Sequence, residues 1–229
     1  LSYVTIPNSV TTIEESAFDR CSSLTSVTIP NSVKEIGYAA FDRCNSLKTV
    51  NIEDSETSLT FDSEKRYDSY YYVSFKDSPL EEVYLGRKII YPNEWEYDFS
   101  PFYRNSALKN ISIGSNVSDV SIFYFSKYED LATINCYSLI PPTTRSFTNK
   151  QYMDLSVFVP AEALEAYKAD ETWGNFWNLQ ASGVDGVKVD SKREVIGRYD
   201  LNGRAVSEDY QGFVIIRFSD GSTKKYLQQ

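Results

Sequence analysis

A hydrophobic position recurs along this chain at a nearly constant interval. Successive anchors are separated by 23, 23, 33, 28, 23 and 23 residues. Each anchor lies in a short phrase of alternating apolar and polar residues, which is the pattern of a β-strand. A constant period of this length indicates a solenoid, in which each unit buries its apolar face against its neighbours. The anchors are Val4, Val27, Val50, Val83, Ile111, Ile134 and Val157.

The second unit, residues 24–46, shows the repeat most clearly. It reads LTSVTIPNSVKEIGYAAFDRCNS, in which an L-x-x-V-x-I strand phrase precedes a Pro-Asn-Ser turn. A second apolar pair follows the turn, and Phe41 and Cys44 come before the next strand. The first unit matches it closely, and later units keep only the apolar skeleton. Because Leu1 occupies the first position of a repeat, we expect further repeats or a cap upstream.

The phrase SVTIPNSV…IG..AF..C..L resembles the BspA-like, or treponemal-type, leucine-rich repeats. The resemblance is clear over residues 1–52 and weaker over residues 53–160. It implies a curved ladder of parallel strands with irregular, partly helical returns. It also implies a secreted or bacterial cell-surface protein, of the type common in Bacteroides-like bacteria, that acts in adhesion and binds host proteins.

We therefore expect a leucine-rich-repeat solenoid over residues 1–180, an α/β-type repeat made mostly of strands and loops. A helix pattern begins after Pro160 and is followed by Trp173, Phe176 and Trp177. A terminal repeat must cover the last apolar face, so this segment predicts a short helical cap plugged by its aromatic side chains. A ligand-binding role for the two tryptophans is the alternative.

Residues 181–229 predict a linker and a small antiparallel β-domain. Three strand-like runs are separated by Asn202-Gly203 and Asp220-Gly221, which favour tight turns. The segment resembles the small C-terminal β-domain of Bacteroidetes secreted proteins, related to type IX secretion sorting domains, which implies export and surface attachment. The alternative is an accessory sheet. The expected core is Val195, Tyr199, Leu201, Val214, Ile216 and Phe218.

Composition excludes several classes of function. The chain has no histidine, which removes histidine-based acid–base and nucleophile systems and most zinc chemistry. Its net charge is −9, and residues 1–182 carry 15 basic against 25 acidic side chains. An acidic solenoid argues against nucleic acid as a partner. No run approaches the ~18 apolar residues of a transmembrane segment.

The strand phrases predict which side chains face outward. In each L-x-x-V-x-I phrase the third and fifth positions point away from the core, on the concave side. These positions are mostly short and polar, which fits either a solvated ladder or a binding surface. They are Tyr3/Thr5, Ser26/Thr28, Thr49/Asn51, Glu82/Tyr84, Asn110/Ser112, Thr133/Asn135 and Ser156/Phe158.

Two insertions within residues 53–103 lengthen the repeat and concentrate aromatic residues. Eight of the 18 tyrosines lie there. Insertions in a solenoid map to loops on one face, often the binding face. We expect contacts with a host or neighbouring-cell protein; a glycan, or mere packing of a hairpin on the solenoid, are the alternatives. The expected contact residues are Tyr70, Tyr71, Tyr72, Glu82, Tyr84, Trp95 and Tyr97.

Catalysis and cofactors are not expected. Glu94 and Glu96 could be interpreted as a glycosidase pair, but nothing in the sequence places a cleft around them. The acidic residues could bind calcium, yet no D-x-D-x-D-G loop is present. We therefore predict a non-enzymatic binding protein without a catalytic site, metal or cofactor.

The cysteines suggest structural roles. Cys21 and Cys44 occupy the same repeat position, each three residues after a phenylalanine, and Asn105 takes that place in a later unit. Such a position suits a small buried group that satisfies loop backbone. Two buried thiols are favoured over a disulfide between adjacent coils, although the ~4.8 Å coil spacing allows one. Cys136 lies at a core strand position.

Overall fold

A computed structural model of the chain describes residues 2–62, 74–76, 78–91, 100–102, 105–182, 195–201, 203–207, 209–218 and 223–228. The chain divides into two compact units, residues 1–182 and residues 183–229.

The strands of the first unit are short and the helices few. The helices are α1 (Asn149–Asp154) and α2 (Leu164–Ala169). The strands are β1 (Thr12–Ile13), β2 (Ser26–Ile29), β3 (Glu35–Ile36), β4 (Thr49–Ile52), β5 (Leu59–Phe61), β6 (Glu82–Leu85), β7 (Ile89–Ile90), β8 (Asn110–Ile113), β9 (Thr133–Cys136), β10 (Ser156–Pro160) and β11 (Asn178–Ser182).

A seven-stranded parallel sheet forms one wall of the solenoid. Its order is β11-β10-β9-β8-β6-β4-β2, so consecutive coils lie side by side. The predicted anchors pair directly: Val27 faces Val50, Val50 faces Val83, and the register continues to Val157. This confirms the predicted leucine-rich-repeat solenoid.

Alternating burial explains why these phrases form strands. In β2, Val27 and Ile29 are buried while Ser26 and Thr28 are exposed. The same alternation recurs in the other coils, because side chains point to opposite faces of a strand. The predicted inward and outward positions are therefore confirmed across the sheet.

The returning segments of the first coils differ from the expected partly helical turns. They pair as a second parallel sheet, in the order β1-β3-β5-β7. In β3, Ile36 is buried in the core while Glu35 is exposed, because successive side chains point to opposite faces of a strand. Gly37 permits this close stacking, since a Cβ there would lie 2.5 Å from the Glu15 backbone nitrogen of the preceding coil.

The ends of the large sheet also differ from expectation. Residues 4–7 form no strand, and Val4 and Ile6 are only half-buried. At the other end β11 adds a strand that the periodicity missed. Leu179 of β11 aligns with Val157, so it continues the row of anchors.

A row of phenylalanine side chains runs through the interior of the solenoid. Successive rings are stacked, with centroids 4.8–5.7 Å apart and planes tilted by 9–21°. This is the range in which aromatic pairs attract. We call it the phenylalanine ladder: Phe18, Phe41, Phe75, Phe102, Phe123, Phe125 and Phe147.

The repeat position occupied by Cys44 satisfies the backbone of this ladder. Cys44 Sγ donates to the Phe18 carbonyl at 3.3 Å, and Asn105 Nδ2 donates to the Phe75 carbonyl at 3.1 Å. Burial, and then the nearby Cys21, raise the pKa of Cys44 to about 12. All three cysteines are free thiols, and Cys136 is buried as expected.

The cap closes the last coil with buried aromatic rings. Trp173 is fully buried, and Phe176 and Trp177 are also buried, which confirms the plug interpretation. α2 contributes Tyr167, also fully buried. The preceding helix α1 was not predicted, although Thr148 and Gln151 form a capping box that marks its start in the sequence.

A buried arginine holds the turn that precedes β3. Arg87 is fully buried and donates to the carbonyls of Asn31, Val33 and Pro30 at 2.7–3.0 Å. Burial lowers the pKa of its guanidinium, opposed by the charge of Glu53. Three carbonyl acceptors from the second coil are thus satisfied by a side chain from the fourth.

The second unit is a three-stranded antiparallel sheet of β12 (Val195–Tyr199), β13 (Gly212–Phe218) and β14 (Thr223–Gln228). Val214 and Ile216 are fully buried, as expected of its core. The prediction was wrong for Val195 and Leu201, which are exposed by 39% and 53%. Leu201 follows the end of β12, so the alternation of that strand no longer sets its direction.

Candidate functional site

The outer face of the large sheet is polar and carries acidic groups. Among the described outward strand positions there is no lysine or arginine, while Glu82 is exposed. Asn110 Nδ2 donates to Glu82 Oε1 at 3.4 Å, and Asn135 Nδ2 donates to Ser112 Oγ at 3.4 Å. These bonds tie neighbouring strands together and leave a mostly flat polar surface.

A cluster of larger side chains stands at the carboxyl-terminal edge of this face. The Tyr84 hydroxyl lies 2.9 and 3.0 Å from the two carboxylate oxygens of Asp54, which follows β4. The ring of Tyr137, which follows β9, has its centroid 6.5 Å from that of Tyr84, at an angle of 47°. We call Asp54, Tyr84 and Tyr137 the tyrosine–aspartate cluster.

Two glycines leave room for this cluster. Gly86 and Gly114 are the residues that follow β6 and β8. A Cβ on Gly86 would lie 2.4 Å from the Asp54 nitrogen, and one on Gly114 would lie 2.7 Å from Asp54 Oδ1. Because neither position has a side chain, the Asp54 carboxylate reaches across the strand ends and meets Tyr84.

The electrostatics of the cluster keep Tyr84 protonated. Partial burial of the phenol, and then its hydrogen bond to the Asp54 carboxylate, raise the pKa of Tyr84 to about 12. Its single proton is shared between two carboxylate oxygens, and a carboxylate offers about four acceptor sites. Asp54 is exposed and therefore retains capacity to accept hydrogen bonds from another molecule.

An exposed apolar tip follows Tyr137. Leu139 is 56% exposed and Ile140 is 76% exposed. The loop that carries them is tied internally, because Ser138 Oγ donates to the Ile140 carbonyl at 2.8 Å and accepts from the Ile140 nitrogen at 3.3 Å. We call Leu139 and Ile140 the apolar tip.

The cap anchors both sides of this tip. The buried Tyr167 hydroxyl donates to the Ser138 carbonyl at 3.1 Å. On the other side, Trp173 Nε1 donates to the Pro142 carbonyl at 2.8 Å. The buried aromatic residues of the cap therefore do more than cover the last coil. Their hydrogen bonds also hold the loop that carries the apolar tip.

The structure brings together only part of the predicted contact set. Glu82 and Tyr84 lie on the outer face of β6, as expected, and Tyr84 joins the tyrosine–aspartate cluster. Five predicted contact residues lie outside the described residues: Tyr70, Tyr71, Tyr72, Trp95 and Tyr97. Most of the aromatic insertion that the hairpin alternative concerned also lies outside them, and Ser74 and Phe75 at its described end form a turn.

Sequence analysis missed Tyr137 and the apolar tip. A signal was available, because Tyr137 occupies the position that holds Gly86 and Gly114 in the two preceding coils. Leu139 occupies the position of Ser9 and Ser32 in the first two coils, whereas Ile140 occupies the position of Val10 and Val33 and is exposed there. In the sequence, Asp54 is only one of many acidic residues, because its hydrogen bond to Tyr84 depends on how the coils stack.

The described residues contain neither a candidate metal-binding cluster nor a candidate membrane-spanning helix. Within them, no group of three or more histidine, cysteine, aspartate or glutamate side chains could hold a metal ion. No helix in the described part of the chain has both the length and the apolar character needed to cross a bilayer.

A parallel strand ladder with stacked coils, a polar outer face and a terminal cap defines a leucine-rich-repeat solenoid, a class of scaffold that presents extended binding surfaces. The chain belongs to the family described as BspA type leucine rich repeat region, whose model matches residues 1–83 and 57–154 in six copies. No curated protein matches the chain.

Proposed function

We propose that this protein is a non-catalytic binding module that acts outside the cell, secreted or at the bacterial surface, and recognises a host or neighbouring-cell protein in adhesion. The observation that carries the proposal is the outer sheet face: it is polar and bordered by the half-buried Tyr84, the exposed Tyr137 and an apolar tip. Family membership supports the same function, because solenoids of this kind offer long surfaces for protein partners.

The absence of catalysis is part of the proposal. The chain contains no histidine, and the exposed carboxylates Asp54 and Glu82 are held by hydrogen bonds to Tyr84 and Asn110 on an open surface. Such a surface does not exclude water or orient a reacting bond, which a hydrolase requires. Binding is the function that this geometry supports best.

The experiment is binding of the purified full chain to a panel of extracellular-matrix proteins and polysaccharides. Variants with Tyr70, Tyr71 and Tyr72 replaced by alanine, and a separate Tyr84→Ala variant, locate the contacts. Saturable protein binding that weakens at least tenfold, about 1.4 kcal/mol, in either variant supports the proposal. Binding to polysaccharides alone would replace it with glycan capture through the aromatic insertion, and turnover of any polysaccharide would contradict the non-catalytic assignment.

The second unit is assigned to export within the same proposal. Its sequence resembles the small β-domains related to type IX secretion sorting domains, and it folds as an antiparallel sheet of three strands. We expect the full chain to reach the cell surface of a bacterium with type IX secretion, and a version lacking residues 183–229 to remain inside. Equal surface display of both versions would assign the unit an accessory role.

A further inference from the structure

The apolar tip exposes two adjacent large apolar side chains to solvent. Leu139 and Ile140 are adjacent and exposed by 56% and 76%, whereas most large apolar side chains of the described solenoid are buried. Neighbouring exposed apolar residues next to polar ones mark interaction sites more often than solitary ones do. The tip lies at the carboxyl-terminal edge of the outer sheet face.

Rigidity adds to this argument. Ser138 ties the loop internally, and Tyr167 and Trp173 of the cap tie it on both sides. A loop that is already ordered loses little conformational freedom when a partner binds, so its contact area contributes more to affinity. The cap residues thereby act as positioning residues for the tip.

The tyrosine–aspartate cluster adjoins the tip. Ile140 is three residues from Tyr137, so their Cα atoms lie within roughly 11 Å. The Tyr137 ring is 48% exposed and its centroid lies 6.5 Å from that of Tyr84. Tyr84 therefore borders the exposed Asp54 carboxylate, and Tyr137 lies between Tyr84 and the apolar tip along this chain of neighbours.

The charges around the tyrosine–aspartate cluster indicate which kind of group binds there. Asp54 keeps acceptor sites beside two tyrosine rings, and ring faces attract cations. Glu82 lies on the same strand face as Tyr84, and no basic side chain occupies a described outward strand position. The first unit carries 15 basic against 25 acidic side chains in all. A basic group is favoured here and an acidic one is repelled.

We propose that Asp54, Tyr84, Tyr137, Leu139 and Ile140 form one docking surface, and that its occupant is a protein segment carrying an arginine or lysine beside apolar side chains. The basic group binds the Asp54 carboxylate and packs on the tyrosine rings, and the apolar side chains cover the tip. This inference rests on the proposed binding function and names the site and the partner chemistry within it.

The test selects peptides from a display library of random short sequences on the immobilised full chain, and measures the affinity of the enriched peptides. We expect enrichment of peptides in which arginine or lysine neighbours apolar residues. Leu139→Ser with Ile140→Ser should weaken their binding at least about tenfold, and Asp54→Asn about fivefold. Added salt should weaken binding to the wild type more than to Asp54→Asn.

Matched controls keep folding effects separate from contacts. Ile196→Ser removes an isoleucine that is 55% exposed in the second unit, and Asp154→Asn neutralises an exposed aspartate at the end of α1. Neither should change peptide affinity by more than about twofold. Asp54→Lys should reverse the selection toward peptides with glutamate or aspartate, which a loss of folding cannot do.

Several results would overturn the proposal. Peptides that bind the wild type and both site variants equally would remove the docking surface while leaving the binding function intact. No enrichment on any variant, together with silence on the matrix-protein panel, would remove both. Binding of phosphatidylcholine vesicles through the tip, without peptide enrichment, would assign this surface to membranes instead.

Discussion

The phenylalanine ladder and the tyrosine–aspartate cluster use the same kind of side chain in two regions of one solenoid, with different consequences. The ladder runs through the interior with rings stacked 4.8–5.7 Å apart, and most of its members are fully buried. The cluster stands on the outer face, where Tyr137 is 48% exposed and Tyr84 donates to Asp54.

The difference follows from the repeat. A ladder ring contacts the equivalent ring of each neighbouring coil, so nearly every coil must supply one. The cluster instead breaks the repeat, because Tyr137 stands where two neighbouring coils have Gly86 and Gly114. The ladder rings keep the period and fill the interior, whereas Tyr137 departs from the period and is exposed on the outer face.

The largest expected effect comes from removing a ladder ring. Phe75 is fully buried and stacks on Phe41 and Phe102 at 4.9 and 5.2 Å. Phe75→Ala should lower the free energy of unfolding by about 3–5 kcal/mol, through lost transfer energy and an unfilled cavity. Tyr137→Ala should stay within about 0.5 kcal/mol. Urea denaturation measures both, and equal losses would abolish the distinction between the two regions.

Substitution of Arg87 tests whether a hydrogen-bonding side chain between coils stabilises the fold as much as a ladder ring does. Arg87→Met would leave three carbonyls of the second coil without their donor, although it also removes a buried charge. The net loss in the free energy of unfolding should be about 2–4 kcal/mol. Lys88→Met, at the exposed neighbouring residue, is the control and should change little. A loss as small as that of the control would show that the turn does not depend on Arg87.

Gly86 tests whether the base of the outer cluster is structural. A Cβ there would lie 2.4 Å from the Asp54 nitrogen and 2.5 Å from the Ile52 carbonyl oxygen, and backbone cannot move aside easily. Gly86→Ala should cost about 1–3 kcal/mol in urea denaturation. The exposed Ser115→Ala should be nearly neutral. If Gly86→Ala were equally neutral, the close approach of β4 and β6 ends would be more adaptable than the geometry implies.

The smallest effect concerns the titration of Tyr84. Its pKa is raised to about 12, so the protonated phenol is favoured in the folded state. The stabilisation from this group is complete below its ordinary pKa of about 10 and is lost as pH rises toward 12. Subtracting the alkaline absorbance titration of Tyr84→Phe from that of the wild type should reveal one tyrosine that ionises near pH 12.

Asp54→Asn provides the comparison for this titration. It removes the charge that the phenolate would face, so Tyr84 should ionise at lower pH than in the wild type. Since burial is the larger cause of the shift, part of it should remain. An unchanged midpoint in Asp54→Asn would mean that the hydrogen bond contributes nothing.

Most of the architecture could be predicted from the sequence. The spacing of Val27, Val50 and Val83 predicted the strand register, because the same position is buried in each coil and holds the same type of residue. The Cys/Asn position was also legible, since it serves the equivalent carbonyl in each coil. Two deviations, at residues 4–7 and in the second sheet, include the coils where the repeat is clearest, and two others, α1 and β11, come where the repeat is weak or has ended.

The candidate site was legible only in part. Tyr84 and Glu82 could be predicted to face outward from strand alternation alone, which is a local property of the chain. Asp54, Tyr84 and Tyr137 are separated by 30 and 53 residues in sequence, and their contact exists only because β4, β6, β8 and β9 stack in that order. The periodic burial pattern of the sequence determined the phenylalanine ladder. The contacts of the tyrosine–aspartate cluster depended instead on the stacking of coils and on the space that Gly86 and Gly114 leave open.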